Sequence, residues 1–275
     1  MVAFSNGYLV DNLTEALKIR SEFDVTPYAG GTDLMVEAKD DAVYLFLNKI
    51  PELRRIYSDD EYIRIGAACT YTEIFENTLT PQILKDSIDY LAAPAIRNMG
   101  TAGGNICNAS PKADTALIFY VADAKLRICS ASGERILPIE DFYVGRGKTV
   151  LQRDELLVEI LVPKFGLEHY YYKKVGARQA LAISRVAFAG LFSTENGIIT
   201  RFAMAFGSVA DTILRFRDLE ALFVGKTMTE AKSLRDDLIA KYDQAIVPIR
   251  GRVSADYRKS VCMNLLEDFL NQNGI

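Results

Sequence analysis

The chain of 275 residues is poor in the groups that most often carry catalysis or bind metals. Its one histidine, His169, stands beside three tyrosines in a charged, aromatic stretch that is typical of a half-exposed strand. Its four cysteines, Cys69, Cys107, Cys129 and Cys262, form no CxxC or CxC pair. Because iron-sulfur and zinc sites need several thiolates that converge on one metal, this spacing predicts no metal site in the chain.

The sequence also lacks an excess of positive charge and a long apolar run. Thirty-two basic residues stand against 36 acidic ones, for a formal net charge of −4, so nucleic acid is not an expected partner. No uninterrupted apolar stretch reaches the roughly 18 residues that a membrane span needs, and Asp11 and Glu15 interrupt the N-terminal region. We therefore expect no membrane span and a cytoplasmic location. A protein with so few acid/base groups commonly relies on a cofactor for its reactive atoms.

Hydrophobic patterning predicts a mixed α+β chain. Alternation predicts strands at 62–67 and 125–128, and an apolar run predicts a buried strand at 156–162. Helices are predicted to start at Pro81 and near Pro111, the second of them running to Tyr120. These elements alternate irregularly along the first part of the chain.

The segment Lys164 to Leu167, which follows Pro163 and contains Gly166, predicts a domain boundary that divides the chain into residues 1–165 and 166–275. The second part places strands before helices, which favours a three-stranded antiparallel sheet covered by helices. Asn196-Gly197, the strongest short hairpin signal, joins the last two strands. The predicted strands are 170–175, 186–194 and 198–209, and the predicted helices are 212–224, 229–245 and one that starts at Ser254.

Two loops pair Gly-Gly with a hydroxyl residue. The first is Tyr28-Ala29-Gly30-Gly31-Thr32-Asp33-Leu34 and the second is Gly100-Thr101-Ala102-Gly103-Gly104-Asn105-Ile106. Glycines that take positive φ allow successive backbone N–H groups to point inward and cradle phosphate oxygens. An isolated Gly-Gly is most often only a tight turn, but two such loops favour a site for the two phosphates of a dinucleotide. Neither loop matches GxGxxG or the P-loop.

These residues resemble a known family. The AGGTD loop from Ala29 and the segment Ile96-Arg97-Asn98-Met99-Gly100-Thr101-Ala102-Gly103-Gly104-Asn105, followed by Ser110 and Asp114, are similar to the FAD subunits of molybdenum hydroxylases. That family includes bacterial xanthine, nicotinate and carbon monoxide dehydrogenases. The resemblance covers nearly the whole chain, because Asp154 to Leu157 and Lys173 with Arg178 also match later motifs.

The resemblance implies a fold and a set of cofactor residues. The fold would be a vanillyl-alcohol-oxidase type FAD domain of two α+β subdomains, followed by a small C-terminal α+β domain. Ala29 to Asp33 and Thr101 to Asn105, with Tyr28, Leu34 and Gly100 flanking them, would bind the FAD pyrophosphate and its surroundings non-covalently. Ser110 and Asp114 would contact the adenosine side, Leu156 would pack near the adenine, and Lys173 would lie near the isoalloxazine ring.

The implied activity is electron transfer within a larger oxidoreductase. A molybdopterin subunit would hydroxylate the substrate, and a subunit with two 2Fe-2S clusters would pass electrons to the FAD on this chain. NAD(H) or another acceptor would then take them. Two other interpretations remain open at this point: an FAD enzyme like the reductase of UDP-N-acetylmuramate synthesis, and a flavin-binding assembly subunit without redox coupling.

Overall fold

The computed structural model describes residues 2–4, 7–37, 41–178 and 181–275. The chain forms two compact units that alternate along the sequence. Unit 1 comprises residues 1–80, 91–109 and 123–164, and unit 2 comprises 81–90, 110–122 and 165–275.

The strands of the described residues are, in chain order, β1 (Val2–Phe4), β2 (Gly7–Leu9), β3 (Thr26–Tyr28), β4 (Tyr44–Phe46), β5 (Ile56–Ser58), β6 (Tyr62–Gly66), β7 (Lys125–Ser130), β8 (Gly133–Pro138), β9 (Tyr143–Gly145), β10 (Lys148–Thr149), β11 (Leu156–Pro163), β12 (Tyr170–Val175), β13 (Val186–Glu195), β14 (Ile198–Gly207) and β15 (Leu214–Arg215). The helices are α1 (Leu13–Glu22), α2 (Tyr71–Glu76), α3 (Gln82–Asp89), α4 (Pro94–Arg97), α5 (Ala102–Cys107), α6 (Asp114–Val121), α7 (Arg217–Ala221), α8 (Met228–Ala245) and α9 (Ala255–Gln272).

Unit 1 contains, among its described residues, two larger sheets and the two-stranded pair of β9 and β10. The first has the order β1-β2-β4-β3, in which β4 runs parallel to both β2 and β3. The second is antiparallel with the order β5-β6-β11-β7-β8, and its central strand β11 is buried from Leu156 to Val162, as its apolar run predicts. One apolar core joins Ile19 of α1 and Leu45 of β4 to Val158 of β11. The two-part α+β architecture that the sequence predicted is confirmed.

Unit 2 is a sheet with helices on both faces. The three long antiparallel strands β12, β13 and β14 confirm the prediction, and the two-residue strand β15 extends the sheet beyond β14. Asn196 and Gly197 both take positive φ, 50° and 77°, as a tight hairpin with a right-handed twist requires. The face with Phe188 and Phe206 packs against Phe269 of α9, whereas the alanines of the other face leave room for α6.

Two helix predictions in unit 2 need correction. No single helix covers 212–224, because Leu214 and Arg215 pair with β14 and only the five residues of α7 are helical. The tertiary pairing overrides the local helix preference. The helix predicted from Pro111 begins at Asp114, and the Pro111 carbonyl instead accepts a hydrogen bond of 2.7 Å from the Ser208 N–H.

Candidate cofactor site

The first glycine loop leaves backbone donors free at the end of β3. Gly31 takes φ 68°, and the Met35 N–H donates to the Gly31 carbonyl at 3.0 Å, which closes the turn. Among the described residues, the N–H groups of Gly30, Gly31, Thr32 and Asp33 have no protein acceptor. Four successive free donors around a positive-φ glycine form a concave group that suits phosphate oxygens. Gly31 has the positive φ that the sequence-based interpretation requires, and phosphate binding by this loop stays a prediction.

The two glycines of this loop are needed for different reasons. A Cβ on Gly30 would lie 1.9 Å from the Met99 carbonyl oxygen, so only glycine permits this approach of two backbones. A Cβ on Gly31 would lie 2.2 Å from the Tyr28 hydroxyl oxygen, in addition to the strain of its positive φ. Tyr28 has little freedom to yield, because its ring packs against Tyr44 and Phe46.

The second glycine segment is a helix start and not a nest. Thr101 is the N-cap of α5, and its hydroxyl oxygen accepts from the Gly104 N–H at 3.1 Å. The N–H groups of Ala102 and Gly103 donate to the carbonyls of Cys69 and Ala67 at 3.1 and 2.9 Å. The prediction of positive φ at Gly104 is therefore wrong, and these donors are already used within the protein.

Small residues let α5 lie directly on the segment that follows β6. A Cβ on Gly103 would lie 2.6 Å from both the Cβ and the carbonyl oxygen of Ala67, and Ala102 is fully buried. Asn105 continues the helix, with its N–H donating to the Thr101 carbonyl at 3.0 Å. The glycine at 103 thus serves close packing.

The structure brings the two predicted segments together. Gly30 contacts Met99, the hydroxyl of Thr32 faces Gly100, and the Asn108 side-chain amide donates to the Asp33 carboxylate. Residues separated by some 70 positions in the sequence therefore form one surface of unit 1. Leu34 begins the short 3-10 helix Leu34–Glu37 that leaves this surface.

A cavity of about 340 Å³ opens in unit 1 beside these segments. This volume lies at the lower end of ordinary ligand pockets, so it suits part of a dinucleotide. Four predicted site residues line it, namely Ala29, Gly103, Gly104 and Leu156. Its other lining residues are Arg20, Pro27, Leu47, Leu53, Ala67, Ala68, Cys107, Thr149, Leu151, Gln152, Arg153, Glu155 and Leu157. The wall is largely aliphatic, with a few polar groups at one side.

Arg20 is the cavity residue of greatest chemical interest, and no pattern in the sequence predicts its position there. It lies in the last turn of α1, whose start is marked by Asn12, the N-cap that accepts from the Glu15 N–H at 2.9 Å. That Asn-x-x-Glu pattern was a usable helix signal. Nothing in the sequence places Arg20 at the cavity that Gly104 also lines.

Three predicted residues belong to unit 2, where Asp114 already has partners. Its carboxylate accepts from the Lys174 ammonium at 2.7 Å and from the Ser184 hydroxyl at 2.6 Å. Burial raises the pKa of Asp114, and the charge and hydrogen bond of Lys174 oppose that rise. Ser110 starts a turn in which its hydroxyl accepts from the Lys112 N–H at 3.3 Å.

Lys173 and Asp114 lie on different faces of the unit 2 sheet. Alternation along β12 puts Lys173 on the face of Tyr171, which bonds to Asp268 of α9. Lys174 lies on the opposite face with Asp114. Lys173 is exposed, whereas the Lys174 side chain is only 8% exposed.

The residues of unit 1 fit a nucleotide cofactor. Free N–H groups suit phosphate, glycines leave the space that side chains would fill, and the aliphatic cavity suits a ring. A loop of this kind beside such a cavity defines a dinucleotide-binding protein.

Comparisons with known proteins specify the family. The profile described as "FAD binding domain in molybdopterin dehydrogenase" matches residues 4–165, and "CO dehydrogenase flavoprotein C-terminal domain" matches residues 170–273. The chain therefore belongs to the FAD-binding flavoprotein subunits of the molybdenum hydroxylase family. It is an oxidoreductase component whose cofactor is FAD. The family assignment accounts for the FAD site without the alternative of an enzyme like the reductase of UDP-N-acetylmuramate synthesis.

Relatives of known name support this assignment. The xanthine dehydrogenase FAD-binding subunit of Escherichia coli O157:H7 is 36% identical over 231 residues, which cover 80% of this chain and 79% of that protein. The nicotinate dehydrogenase FAD-subunit of Eubacterium barkeri is 29% identical and covers 90% of both chains. The fold matches carbon monoxide dehydrogenase from Hydrogenophaga pseudoflava with a TM-score of 0.88 at 24% identity, over 97% of this chain and 96% of that one.

Two other features, a membrane-spanning helix and a metal site, are absent from the described residues. None of the helices in this part of the chain is both long and apolar enough to cross a bilayer. Within residues 2–4, 7–37, 41–178 and 181–275, no group of three His, Cys, Asp or Glu side chains is placed to hold a metal ion.

Proposed function

We propose that this chain is the electron-transfer subunit that takes electrons from 2Fe-2S clusters of a partner subunit and passes them to NAD or another acceptor. A separate molybdopterin subunit would carry out the hydroxylation. The observation that supports this most strongly is the Gly31 loop with its free donors, in a chain of the molybdenum hydroxylase flavoprotein family. A cytoplasmic location and a division into domains 1–165 and 166–275 are part of the proposal.

The chain's own residues have binding and positioning roles in this proposal. FAD, when bound, supplies a ring that can take up electrons singly and release them as a pair. The N–H groups of residues 30–33 would donate to its phosphates, and α5 with Leu156 would form the wall beside them. Ser110 and Asp114 would contact its adenosine side.

Lys173 would place a positive charge near the isoalloxazine ring. A cation near a flavin carbonyl favours the anionic reduced form, because opposite charges attract more strongly where water is scarce. Its exposed position leaves its ammonium free of the ion pair that occupies Lys174. In this role Lys173 adjusts the flavin without anchoring it.

The proposed partners follow from what the sequence of this chain contains. Its four cysteines are dispersed, so clusters held by cysteine thiolates would sit on another chain. The chain should therefore work within an assembly. A flavin-binding assembly subunit without electron transfer is the competing function.

Purification from the native host tests the proposal. A tagged chain should co-elute with a 2Fe-2S protein and a large molybdenum-containing subunit, identified by mass spectrometry and metal analysis. The complex should reduce an electron acceptor when a purine or another heterocycle is the electron donor. A complex of the same subunits that carries Gly31→Val should not reduce the acceptor. Heterocycle hydroxylation by the chain alone, with no other subunit detectable, would contradict the proposal. Equal activity of the flavin-free complex would favour the assembly function.

A further inference from the structure

Arg20 lines the cavity of unit 1, and its guanidinium is incompletely paired. Its Nη1 donates to the Val25 carbonyl, which fixes the guanidinium at the end of α1. Its Nε is buried and has no hydrogen-bond partner among the described residues. Buried donors are nearly always satisfied, so the unpaired Nε shows that the hydrogen bonds of this cavity-lining arginine are incomplete among the described residues.

The charge of Arg20 is also uncompensated. Of the described carboxylates, none lies within 4.0 Å of its guanidinium, and Asp24 and Asp154 act on it only from a distance. Burial lowers the pKa of Arg20, but a guanidinium stays protonated at neutral pH. The cavity therefore holds a fixed positive charge without a partner.

The other charged groups of the cavity are already neutralised. The Glu155 carboxylate accepts two hydrogen bonds of 2.8 Å from Arg135, and these bonds lower its pKa. Arg153 is largely exposed and lies 3.5 Å from Asp24. Arg20 is thus the charge that a ligand in the cavity would meet.

We propose, on the basis of the function proposed above, that Arg20 binds the adenosine diphosphate half of FAD and makes the site prefer FAD over FMN. The diphosphate is the anionic part of the cofactor, and the adenine is a flat ring that suits the aliphatic wall of Leu53, Leu156 and Leu157. Ala29 lines the cavity and adjoins the free N–H groups of the first loop. One continuous surface therefore offers donors to the phosphates and an apolar slot for the ring.

Binding measurements on the flavin-free protein test this role. FAD, ADP, adenosine and FMN are titrated by calorimetry or flavin fluorescence against the wild type, Arg20→Met and Arg153→Met. Arg20→Met should weaken FAD and ADP by about 10- to 100-fold, the usual effect of losing a charged hydrogen bond, and leave FMN unchanged. Arg153→Met is the matched control, because it removes a cation from the same cavity that is exposed and already paired. Its effect should stay below about fivefold.

The comparison of ADP with adenosine identifies the part of the ligand that the Arg20 guanidinium binds. A loss for ADP but not for adenosine places the guanidinium on phosphate, and an equal loss for both places it on the nucleoside. Equal ADP affinity of the wild type and Arg20→Met would overturn the proposal. Should Arg20→Met fail to fold, Arg20→Gln removes the charge but keeps a polar side chain, and wild-type ADP affinity in that variant would overturn it equally. Failure of the wild type to bind FAD at all would instead count against the proposed function.

Discussion

Gly31 and Gly147 share a backbone conformation but differ in their surroundings. Both have φ 68°, yet a Cβ on Gly147 would meet no atom within 4 Å, whereas one on Gly31 would meet Tyr28. Alanine at Gly147 should lower the free energy of unfolding by about 1 kcal/mol, because an L-residue is strained at positive φ, and alanine at Gly31 should lower it further because its Cβ would also clash with Tyr28. Only Gly31→Ala should also lose FAD, measured as bound flavin per chain. Equal flavin content in the two variants would remove the loop from the site.

Lys173 and Lys174 are adjacent residues with different roles. Lys174→Met would leave the buried Asp114 carboxylate without its cationic partner and should cost about 3–5 kcal/mol in unfolding free energy. Lys173→Met should cost less than about 0.5 kcal/mol, as exposed substitutions usually do, and should keep the FAD content. Its flavin midpoint potential should fall. Equal flavin midpoint potentials in Lys173→Met and the wild type would show that Lys173 does not influence the flavin and is an ordinary surface lysine.

The Lys174→Met variant also has a predicted pH dependence. Without Lys174, burial raises the pKa of Asp114 further, so the folded protein binds a proton more tightly than the unfolded chain. A group with a raised folded-state pKa is least costly at low pH, and its penalty grows as the pH rises through that pKa. Urea unfolding should therefore show a smaller difference between variant and wild type at acidic pH than at neutral pH. A difference independent of pH would show that lost packing, not the buried carboxylate, causes the defect.

At the scale of elements, α5 depends on the cap that Thr101 provides. Thr101→Val removes the acceptor of the Gly104 N–H and should cost about 0.5–2 kcal/mol in unfolding free energy. Because Gly103 and Gly104 line the cavity, fraying of α5 should also weaken FAD binding. Thr227→Val is the control, since Thr227 caps α8 in unit 2 by the same contact, to the Glu230 N–H at 3.2 Å. Equal FAD affinity in both variants would show that α5 is not part of the site.

Elements with local signals were predictable, and those set by distant contacts were not. Asn196-Gly197 specified its hairpin, Ser254 marked the start of α9, and the helix predicted at 229–245 is α8. The sheet of β1 to β4 consists of three-residue strands, which are too short to show alternation. Gly104 shows a second limit of prediction from sequence. Its Gly-Gly pair is compatible with a turn or a helix, and the contacts of α5 with Ala67 select the helix.

At the scale of the whole molecule, the family and the two-part fold could be predicted from motifs, but the cavity could not. The two glycine segments carry enough specific residues to indicate the family, and its profiles match the chain. The cavity combines Arg20, Leu53 and Leu156 with residues of α5, and such a combination exists only after long-range folding. The role of a charged residue outside any local motif, such as Arg20, depends on its neighbours in the folded chain, which the sequence does not reveal.

The alternation of the chain between its units limits how the protein can be cut. The backbone passes from one unit to the other after residues 80, 90, 109, 122 and 164, so neither unit is a continuous stretch of sequence. A fragment that starts at residue 165 would lack α3 and α6, which pack on β12, β13 and β14, and would expose their apolar contacts to water. Cleavage by a protease after residue 164 would leave two pieces that stay associated through the packing of α3 and α6 on β12, β13 and β14. For this protein, point substitutions and not truncations are the way to separate the contributions of its halves.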